Sequence, residues 1–193
     1  MSLAGALDAA DAVLAGLGVD WCVVGGLAVA VRTPARFTVD VDLVVAVRDD
    51  GEAETVTLAF LASGFALVNA IEHEATGRLA AVRLQRSPGE EIDLMFALTG
   101  IEGDVVQAAE PVEVLSGRTA RTATIGHLVA MKLLSVDDRR PRDAQDLVAL
   151  LARCDASEQR RAERAVAAIV EAGTARGRPL VDDLRRWMEK IRT

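Results

Sequence analysis

Three aspartates stand where they could meet around a metal ion. Asp40 and Asp42 are separated by one residue in an apolar stretch, and Asp93 stands alone in the apolar run of residues 92–96. Side chains alternate between the two faces of an extended strand, so Asp40 and Asp42 are expected to point the same way. If the strand that contains Asp93 lies alongside, three carboxylates share one small volume, which is costly unless divalent cations neutralise them. The pattern predicts a magnesium site for phosphate chemistry.

A glycine pair precedes these aspartates. Gly25 and Gly26 follow the apolar run of residues 21–24, and thirteen residues separate them from Asp40. A strand, a glycine turn and a helix in this order let the backbone approach a triphosphate closely, with the helix N-terminal amides facing the phosphates. The sequence contains neither the G-x-G-x-x-G of dinucleotide-binding folds nor the G-x-x-x-x-G-K of P-loops. A different class of nucleotide site is therefore expected.

Hydrophobic periodicity and turn residues predict an α+β fold, with a mixed sheet and flanking helices followed by a C-terminal helical bundle. The expected helices cover residues 3–17, 27–31, 52–63, 124–135, 141–153, 157–172 and 180–191. The expected strands cover residues 21–24, 39–47, 65–69, 78–86, 91–96, 111–115 and 118–121, and the last four form two hairpins. The pattern divides the chain into a catalytic core of residues 1–122 and a helical region of residues 123–193.

Charge and composition argue against some classes of function and favour others. The chain of 193 residues has a net charge of −7, which argues against a generally basic nucleic-acid-binding protein. The charge is uneven, however, because residues 1–138 carry −11 and residues 139–193 carry +4. The basic segment either meets a polyanion or forms a solvated helical surface. Two distant cysteines and the lack of a membrane span or signal sequence predict a cytoplasmic protein that does not bind membranes.

Two blocks of sequence carry a family resemblance. Residues 23–45, VVGGLAVAVRTPARFTVDVDLVV, resemble the G-G, spacer, D-x-D motif of the DNA polymerase beta-like nucleotidyltransferases. Residues 123–151, ATIGHLVAMKLLSVDDRRPRDAQDLVALL, resemble the second signature of the AbiEii-type enzymes within that superfamily, which include type IV toxins and MenT-type tRNA-modifying toxins. The two blocks cover roughly a quarter of the chain, and the last forty residues show no recognisable match.

The resemblance implies roles for individual residues. Gly25 and Gly26 would hold the nucleotide phosphates, while Asp40 and Asp42 would coordinate Mg²⁺. Asp93 would be the third acid of a two-metal site, near the attacking hydroxyl and able to act as its general base. In the stretch ahead of the D-x-D pair, Arg36 and Thr38 would either contact phosphate or brace the loop.

The second block adds further candidates. Lys132 is one of only two lysines beside 20 arginines, and its compact ammonium can reach a single phosphate oxygen, although chance also explains its presence. Asp143 and Asp146 lie three residues apart, hence on one helical face, behind Arg142. Acids in a first helical turn also stabilise the helix dipole, so a catalytic or nucleotide-binding role competes with a purely helical one. Arg139 and Arg140 are candidates for contact with phosphate or RNA.

These residues favour Mg²⁺-dependent transfer of a nucleoside monophosphate from an NTP to an acceptor hydroxyl. The resemblance implies RNA, such as a tRNA 3′ end, as the acceptor, and a toxin with a cognate antitoxin as its partner. Two alternatives stay open. Aminoglycoside and lincosamide nucleotidyltransferases resemble the same core, which would make the acceptor a small molecule. A non-catalytic nucleotide-binding module is the other, and the presence of all three acids argues against it.

Overall fold

A computed structural model describes residues 3–34, 38, 40–73, 77–87, 90–137 and 141–192. Within these residues the helices are α1 (Leu3–Leu17), α2 (Gly25–Arg32), α3 (Asp50–Ala62), α4 (Glu102–Gln107), α5 (Ile125–Ser135), α6 (Pro141–Leu151), α7 (Ala156–Glu171) and α8 (Leu180–Arg192). The strands are β1 (Trp21–Val23), β2 (Val41–Val45), β3 (Ala66–Glu72), β4 (Leu79–Ser87), β5 (Glu90–Met95), β6 (Glu110–Leu115) and β7 (Arg118–Thr122).

The seven strands form one mixed sheet in the order β3-β4-β5-β2-β1-β7-β6. Strand β2 pairs in parallel with β5, and β1 pairs in parallel with β7. The other neighbours are antiparallel, and they include the two predicted hairpins, β4–β5 and β6–β7. The predicted α+β class with a mixed sheet is therefore confirmed.

Apolar side chains on one face of the central strands explain where the core lies. Val41, Leu43 and Val45 alternate with Asp42 along β2 and are fully buried. The same buried cluster extends into the C-terminal helices, where it includes Leu128 and Leu147. The last strand ends at Thr122, and only helices follow it among the described residues. The division into residues 1–122 and 123–193 stays a proposal, since one continuous core joins the two segments.

Local contacts position the C-terminal helices. A side chain at Gly126 would lie 2.6 Å from the carbonyl oxygen of Glu158, so the glycine lets α5 and α7 pack with their backbones close together. The Arg178 guanidinium donates to the carbonyl oxygens of Leu133, Leu134 and Val136, at 2.7, 3.1 and 3.0 Å. These carbonyls at the C-terminal end of α5 have no partner within the helix, and the arginine satisfies them.

Three details differ from the sequence-based expectations. Helix α4 lies in a stretch for which no element is predicted. Helix α7 begins at Ala156, one residue before the predicted start, and is capped by Asp155, whose carboxylate accepts from the amides of Ser157 and Glu158. Thr124 precedes α5, which begins one residue after the predicted start, and its hydroxyl contacts the ring of buried His127 at 3.0 Å. No helix in the described part of the chain combines the length and apolar character that crossing a bilayer requires.

Candidate active site

The parallel pairing of β2 with β5 puts two of the predicted acids side by side. Asp42 in β2 is the register partner of Asp93 in β5. Register partners in neighbouring strands project from the same face of a sheet, so both carboxylates point in one direction. Asp40 lies just ahead of β2, and all three aspartates line one cleft. The geometry therefore brings together the acids that the sequence singled out.

The glycine pair lies directly against Asp42. Gly25 has a φ of +59°, a left-handed conformation that favours glycine, and a Cβ added there would lie 1.9 Å from Oδ2 of Asp42. The amide of Gly26 donates to the same oxygen at 3.2 Å. A side chain at position 25 would displace the carboxylate. The pair starts helix α2, which leaves the N-terminal end of that helix facing the cleft.

Asp42 lies in an environment that opposes its negative charge. Removal of water by the surrounding protein raises the pKa of Asp42 to about 6, and the nearby charge of Asp93 adds to the increase. The hydrogen bond from Gly26 and the charge of Lys132 act in the opposite direction but only partly offset it. A carboxylate held in this way is stabilised when a cation binds beside it.

Asp93 already has a cationic partner. Arg83 in β4 is its register partner on the other side of β5. The guanidinium donates from Nε to Oδ1 at 2.8 Å and from Nη2 to Oδ2 at 2.6 Å, so both carboxylate oxygens are engaged. Bidentate pairs of this kind are the strong form of the arginine–carboxylate interaction. The pairing holds Asp93 in place beside Asp42.

The residues present fit a divalent cation by donor chemistry. Among the residues that the structure describes, no three His, Cys, Asp or Glu side chains are arranged as a metal cluster. In this structure both oxygens of Asp93 accept from the Arg83 guanidinium. Three carboxylates nevertheless line the same cleft, and hard oxygen donors are those that Mg²⁺ prefers. Asp40, Asp42 and Asp93 remain the predicted ligands.

A second charged cluster joins helices α5 and α6. The ammonium of Lys132 lies 2.6 Å from Oδ1 of Asp143 and 2.8 Å from Oδ2 of Asp146. The three side chains are largely buried, with exposed fractions of 14%, 13% and 3%. The structure therefore pairs the lysine with the two acids of the same sequence block. Lys132 and Asp143 line the cleft, and the charge of Lys132 also acts on Asp42.

The cleft that contains these groups has a volume of about 1720 Å³. It is lined by the aspartates of the sheet region and by Arg142 and Arg176 of the helical region. Arg176 is the one non-glycine residue with a positive φ, +55°, in the described part of the chain. Thr38 also lines the cleft, whereas Asp146 does not. Arg36, Arg139 and Arg140 fall outside the described residues, so their predicted roles stay predictions.

Sequence reasoning missed several residues of the cleft, and Arg83 and Asn69 are two of them. Arg83 contacts Asp93, and Asn69 in β3 is the register partner of Arg83. The sequence contained one indication of this contact. Arg83 lies in the predicted strand of residues 78–86, and that strand was expected to pair with the strand of Asp93. The hairpin register has an irregularity between Gln85 and Ser87, so counting back from the turn would have matched Arg83 with the wrong residue.

Comparison with known protein families decides the class of the chain. Residues 7–192 match the family described as nucleotidyl transferase AbiEii toxin, type IV toxin–antitoxin system. The chain belongs to the AbiEii nucleotidyltransferase family. It is thus a nucleotidyltransferase, and the resemblance noted for residues 23–45 and 123–151 is confirmed at the level of the family. No curated protein sequence matches the chain.

Solved structures agree with this family on the fold. The crystal structure of ANT(2")-Ia in complex with adenylyl-2"-tobramycin is similar with a TM-score of 0.57 and 15% identity, covering 86% of this chain and 96% of that one. The lincosamide antibiotic adenylyltransferase LnuA, bound to lincomycin, is similar with a TM-score of 0.51 and 13% identity, covering 79% and 99%. At these identities the similarity concerns the nucleotidyltransferase fold alone.

Proposed function

We propose that the AbiEii-family chain transfers a nucleoside monophosphate from an NTP to a hydroxyl of an RNA acceptor, such as a tRNA 3′ end. The acceptor oxygen bonds to the α-phosphorus, and the bond from that phosphorus to the bridging oxygen of the β-phosphate breaks. Pyrophosphate leaves, and the hydroxyl proton passes to Asp93 or to solvent. The observation that carries the proposal is the pairing of Asp42 with Asp93 beside the glycine turn.

Each part of the cleft has a place in this reaction. Gly25 and Gly26 let the backbone at the start of α2 approach the triphosphate closely. Asp40, Asp42 and Asp93 would hold Mg²⁺, which when bound neutralises the charge that develops on the attacking and leaving oxygens. Lys132, held by Asp143 and Asp146, presents its ammonium at the cleft wall, where it can meet a phosphate oxygen.

The cations that line the cleft from the helical region support a polynucleotide acceptor. Arg142 and Arg176 line it, and such cations suit a polyanion better than a cationic antibiotic. Arg83 and Lys132 also line it, and they are paired there with Asp93 and Asp143. Antibiotic nucleotidylation is the second candidate, because the acidic Glu72, Asp40 and Asp42 line the same cleft.

The family supports a biological role that extends the chemistry. Type IV toxin–antitoxin systems pair such a nucleotidyltransferase with an antitoxin. We propose that this chain acts as the toxin in the cytoplasm and that a cognate antitoxin opposes its effect. Expression of the chain alone should then arrest growth, whereas expression of Asp42→Asn should not.

Labelled nucleotides test the proposed activity. The protein is incubated with four α-³²P NTPs, total tRNA and Mg²⁺, and in parallel with tobramycin or lincomycin in place of tRNA. Label in tRNA that disappears with EDTA and with Asp42→Asn, but not with the surface control Asp11→Asn, supports the proposal. Label only in the antibiotic favours the second candidate, and the absence of label from every acceptor contradicts both.

A further inference from the structure

A row of four polar side chains crosses four neighbouring strands on the cleft side of the sheet. Asp42 in β2 pairs in register with Asp93 in β5, and Asp93 pairs with Arg83 in β4. Arg83 in turn pairs with Asn69 in β3, the strand at the edge of the sheet. All four line the cleft. The row therefore leads from the predicted metal ligands to the edge of the sheet.

The order of the four residues along this row indicates where the nucleotide and the acceptor would bind. The glycine turn lies against Asp42, so the nucleotide phosphates belong at the β1–β2 end of the row. A hydroxyl that attacks the α-phosphorus in line must approach from the side opposite the leaving pyrophosphate. Asp93, Arg83 and Asn69 lie on the other side of Asp42 from the glycines. The acceptor therefore belongs over β5, β4 and β3.

The ion pair between Arg83 and Asp93 occupies atoms that a cation would need. Both oxygens of Asp93 accept from the guanidinium, at 2.8 and 2.6 Å. A divalent ion carries twice the charge of the guanidinium and competes for the same oxygens. Nearly half of the Arg83 side chain is exposed, with a fraction of 46%, so it has room to turn into the cleft when Asp93 releases it. Its bidentate donors would then face the acceptor.

We propose that Arg83 and Asn69 form the acceptor subsite, and that Arg83 exchanges Asp93 for a phosphodiester of a polynucleotide when a divalent cation binds Asp93. The inference rests on the proposed nucleotidyl transfer and specifies its acceptor class. A guanidinium suits the bidentate geometry of phosphate and repels a polyammonium antibiotic. Val68 and Ile71 flank Asn69, with exposed fractions of 55% and 48%, and offer apolar surface to a nucleobase.

Metal binding to the nucleotide-free protein tests the first half of this proposal. Mn²⁺ binding is measured by electron paramagnetic resonance for the wild type, Arg83→Gln and Arg86→Gln. Arg86 lies on the same strand, is exposed and does not line the cleft, so its substitution makes the same charge change elsewhere. Arg83→Gln should bind Mn²⁺ about tenfold more tightly, and Arg86→Gln should bind it as the wild type does. Unchanged Mn²⁺ affinity in Arg83→Gln would overturn the exchange.

Binding of bulk tRNA tests the second half. Fluorescence anisotropy is followed in Mg²⁺ over a series of salt concentrations, since each lost phosphate contact lowers the salt slope by about one. Arg83→Gln should show this lower slope, Asn69→Ala should weaken binding without changing the slope, and Arg86→Gln should match the wild type. Arg83→Lys keeps the charge without the bidentate fork and should keep the slope but bind more weakly. Equal slopes for Arg83→Gln and Arg86→Gln would overturn the acceptor subsite.

These two readouts separate the failure of this inference from the failure of the proposed function. Neither Mn²⁺ affinity nor tRNA affinity requires turnover. If the wild type labels no acceptor while both binding differences are present, the nucleotidyl-transfer proposal fails and the location of the polynucleotide site stands. If label enters tRNA but Arg83→Gln changes neither binding constant, the proposed function stands and the acceptor subsite fails.

Discussion

Among the described residues, a strand cluster of Asp42 and Asp93 and a helical cluster of Asp143 and Asp146 lie at the same cleft, and they differ in how their charges are balanced. Asp143 and Asp146 share the ammonium of Lys132, and all three groups are largely buried. Asp42, by contrast, is held beside Asp93, and its pKa is raised to about 6 by loss of water and by that second charge. The helical cluster is compensated within the protein. In the strand cluster Arg83 compensates Asp93, and the charge of Asp42 is left to be compensated by something that binds.

This difference indicates a structural role for the helical cluster and a cation-binding role for the strand cluster. A buried lysine with two carboxylate partners contributes chiefly by holding α5 against α6, because removing the cation would leave two aspartates without compensation. An ionised carboxylate with a raised pKa lowers the stability of the metal-free folded protein. Binding of a cation beside it restores that stability. Measuring both activity and stability in variants of each cluster separates these two behaviours.

The largest expected effect is on catalysis. Asp42→Asn keeps the size of the side chain and an oxygen that can accept from Gly26, but it removes the charge that would hold Mg²⁺. Loss of several kcal/mol of transition-state stabilisation corresponds to a fall in transfer rate of about a thousandfold or more. The initial rate of NTP-dependent labelling measures it. A rate within tenfold of the wild type would show that Asp42 is not a metal ligand in the reaction.

The next effect concerns stability at the helical cluster. Lys132→Met should lower the free energy of unfolding by about 3–5 kcal/mol, because Asp143 and Asp146 lose their shared partner while buried. Lys190→Met, at the other lysine of the chain, is the matched control and should cost less than about 1 kcal/mol, since Lys190 is exposed. Urea denaturation at pH 7.5 compares them. Equal costs for the two variants would show that the cluster is not a structural brace.

Asp42→Asn should also stabilise the metal-free protein, in contrast to Lys132→Met. The folded-state pKa of Asp42, about 6, lies above its ordinary value of 3.8, so the native state binds more protons between these values. Its contribution to stability is present below about pH 4 and is lost as the pH rises through 6. This shift in the pKa of Asp42 corresponds to about 3 kcal/mol of folding stability, which is lost when the carboxyl group ionises.

Thermal or urea unfolding with EDTA, at pH 4 and at pH 7.5, checks this expectation. The amide introduced by Asp42→Asn does not ionise, so the variant should gain stability over the wild type at pH 7.5 and show no gain at pH 4. A destabilised variant at pH 7.5 would mean that the aspartate is already compensated in the free protein.

The smallest expected effect is that of Gly25→Ala, which tests the contact between the glycine turn and Asp42. Gly25→Ala places a methyl group against Oδ2 of Asp42 and strains a backbone with a φ of +59°. Gly117→Ala, in the β6–β7 turn with a φ of +73° and open space around it, carries the backbone strain alone. Both should lose about 1–2 kcal/mol of stability from the backbone strain, and Gly25→Ala should lose more than Gly117→Ala because its methyl group overlaps Asp42. Only Gly25→Ala should also lose transfer activity, and equal activities would remove the turn from the site.

The strand and helix pattern was predictable because the core dictates it. Val41, Leu43 and Val45 must face inward, and the alternation of side chains along a strand then fixes Asp42 on the opposite face. The turn residues between β4 and β5 indicated the hairpin that carries Asp93. The pairing of Asp42 with Asp93 could be anticipated only as a possibility, because nothing local in the sequence specifies the parallel register of β2 and β5.

Other features escaped prediction for identifiable reasons. Helix α4 has only six residues, too few to give a helical periodicity in the sequence, and Glu102 in its first turn accepts from the amide and hydroxyl of Thr99. Such a short helix depends on its tertiary contacts. The pairing of Arg83 with Asp93 depends on a register irregularity near Ser87, which an alternation of polar and apolar residues does not reveal.

Anomalous scattering from Mn²⁺ in crystals grown with a non-hydrolysable NTP analogue tests the central claim most directly. We expect manganese in contact with the carboxylates of Asp40, Asp42 and Asp93, the triphosphate beside Gly25 and Gly26, and the Arg83 guanidinium turned away from Asp93. Manganese bound elsewhere, or an intact Arg83–Asp93 ion pair with the nucleotide in place, would contradict it.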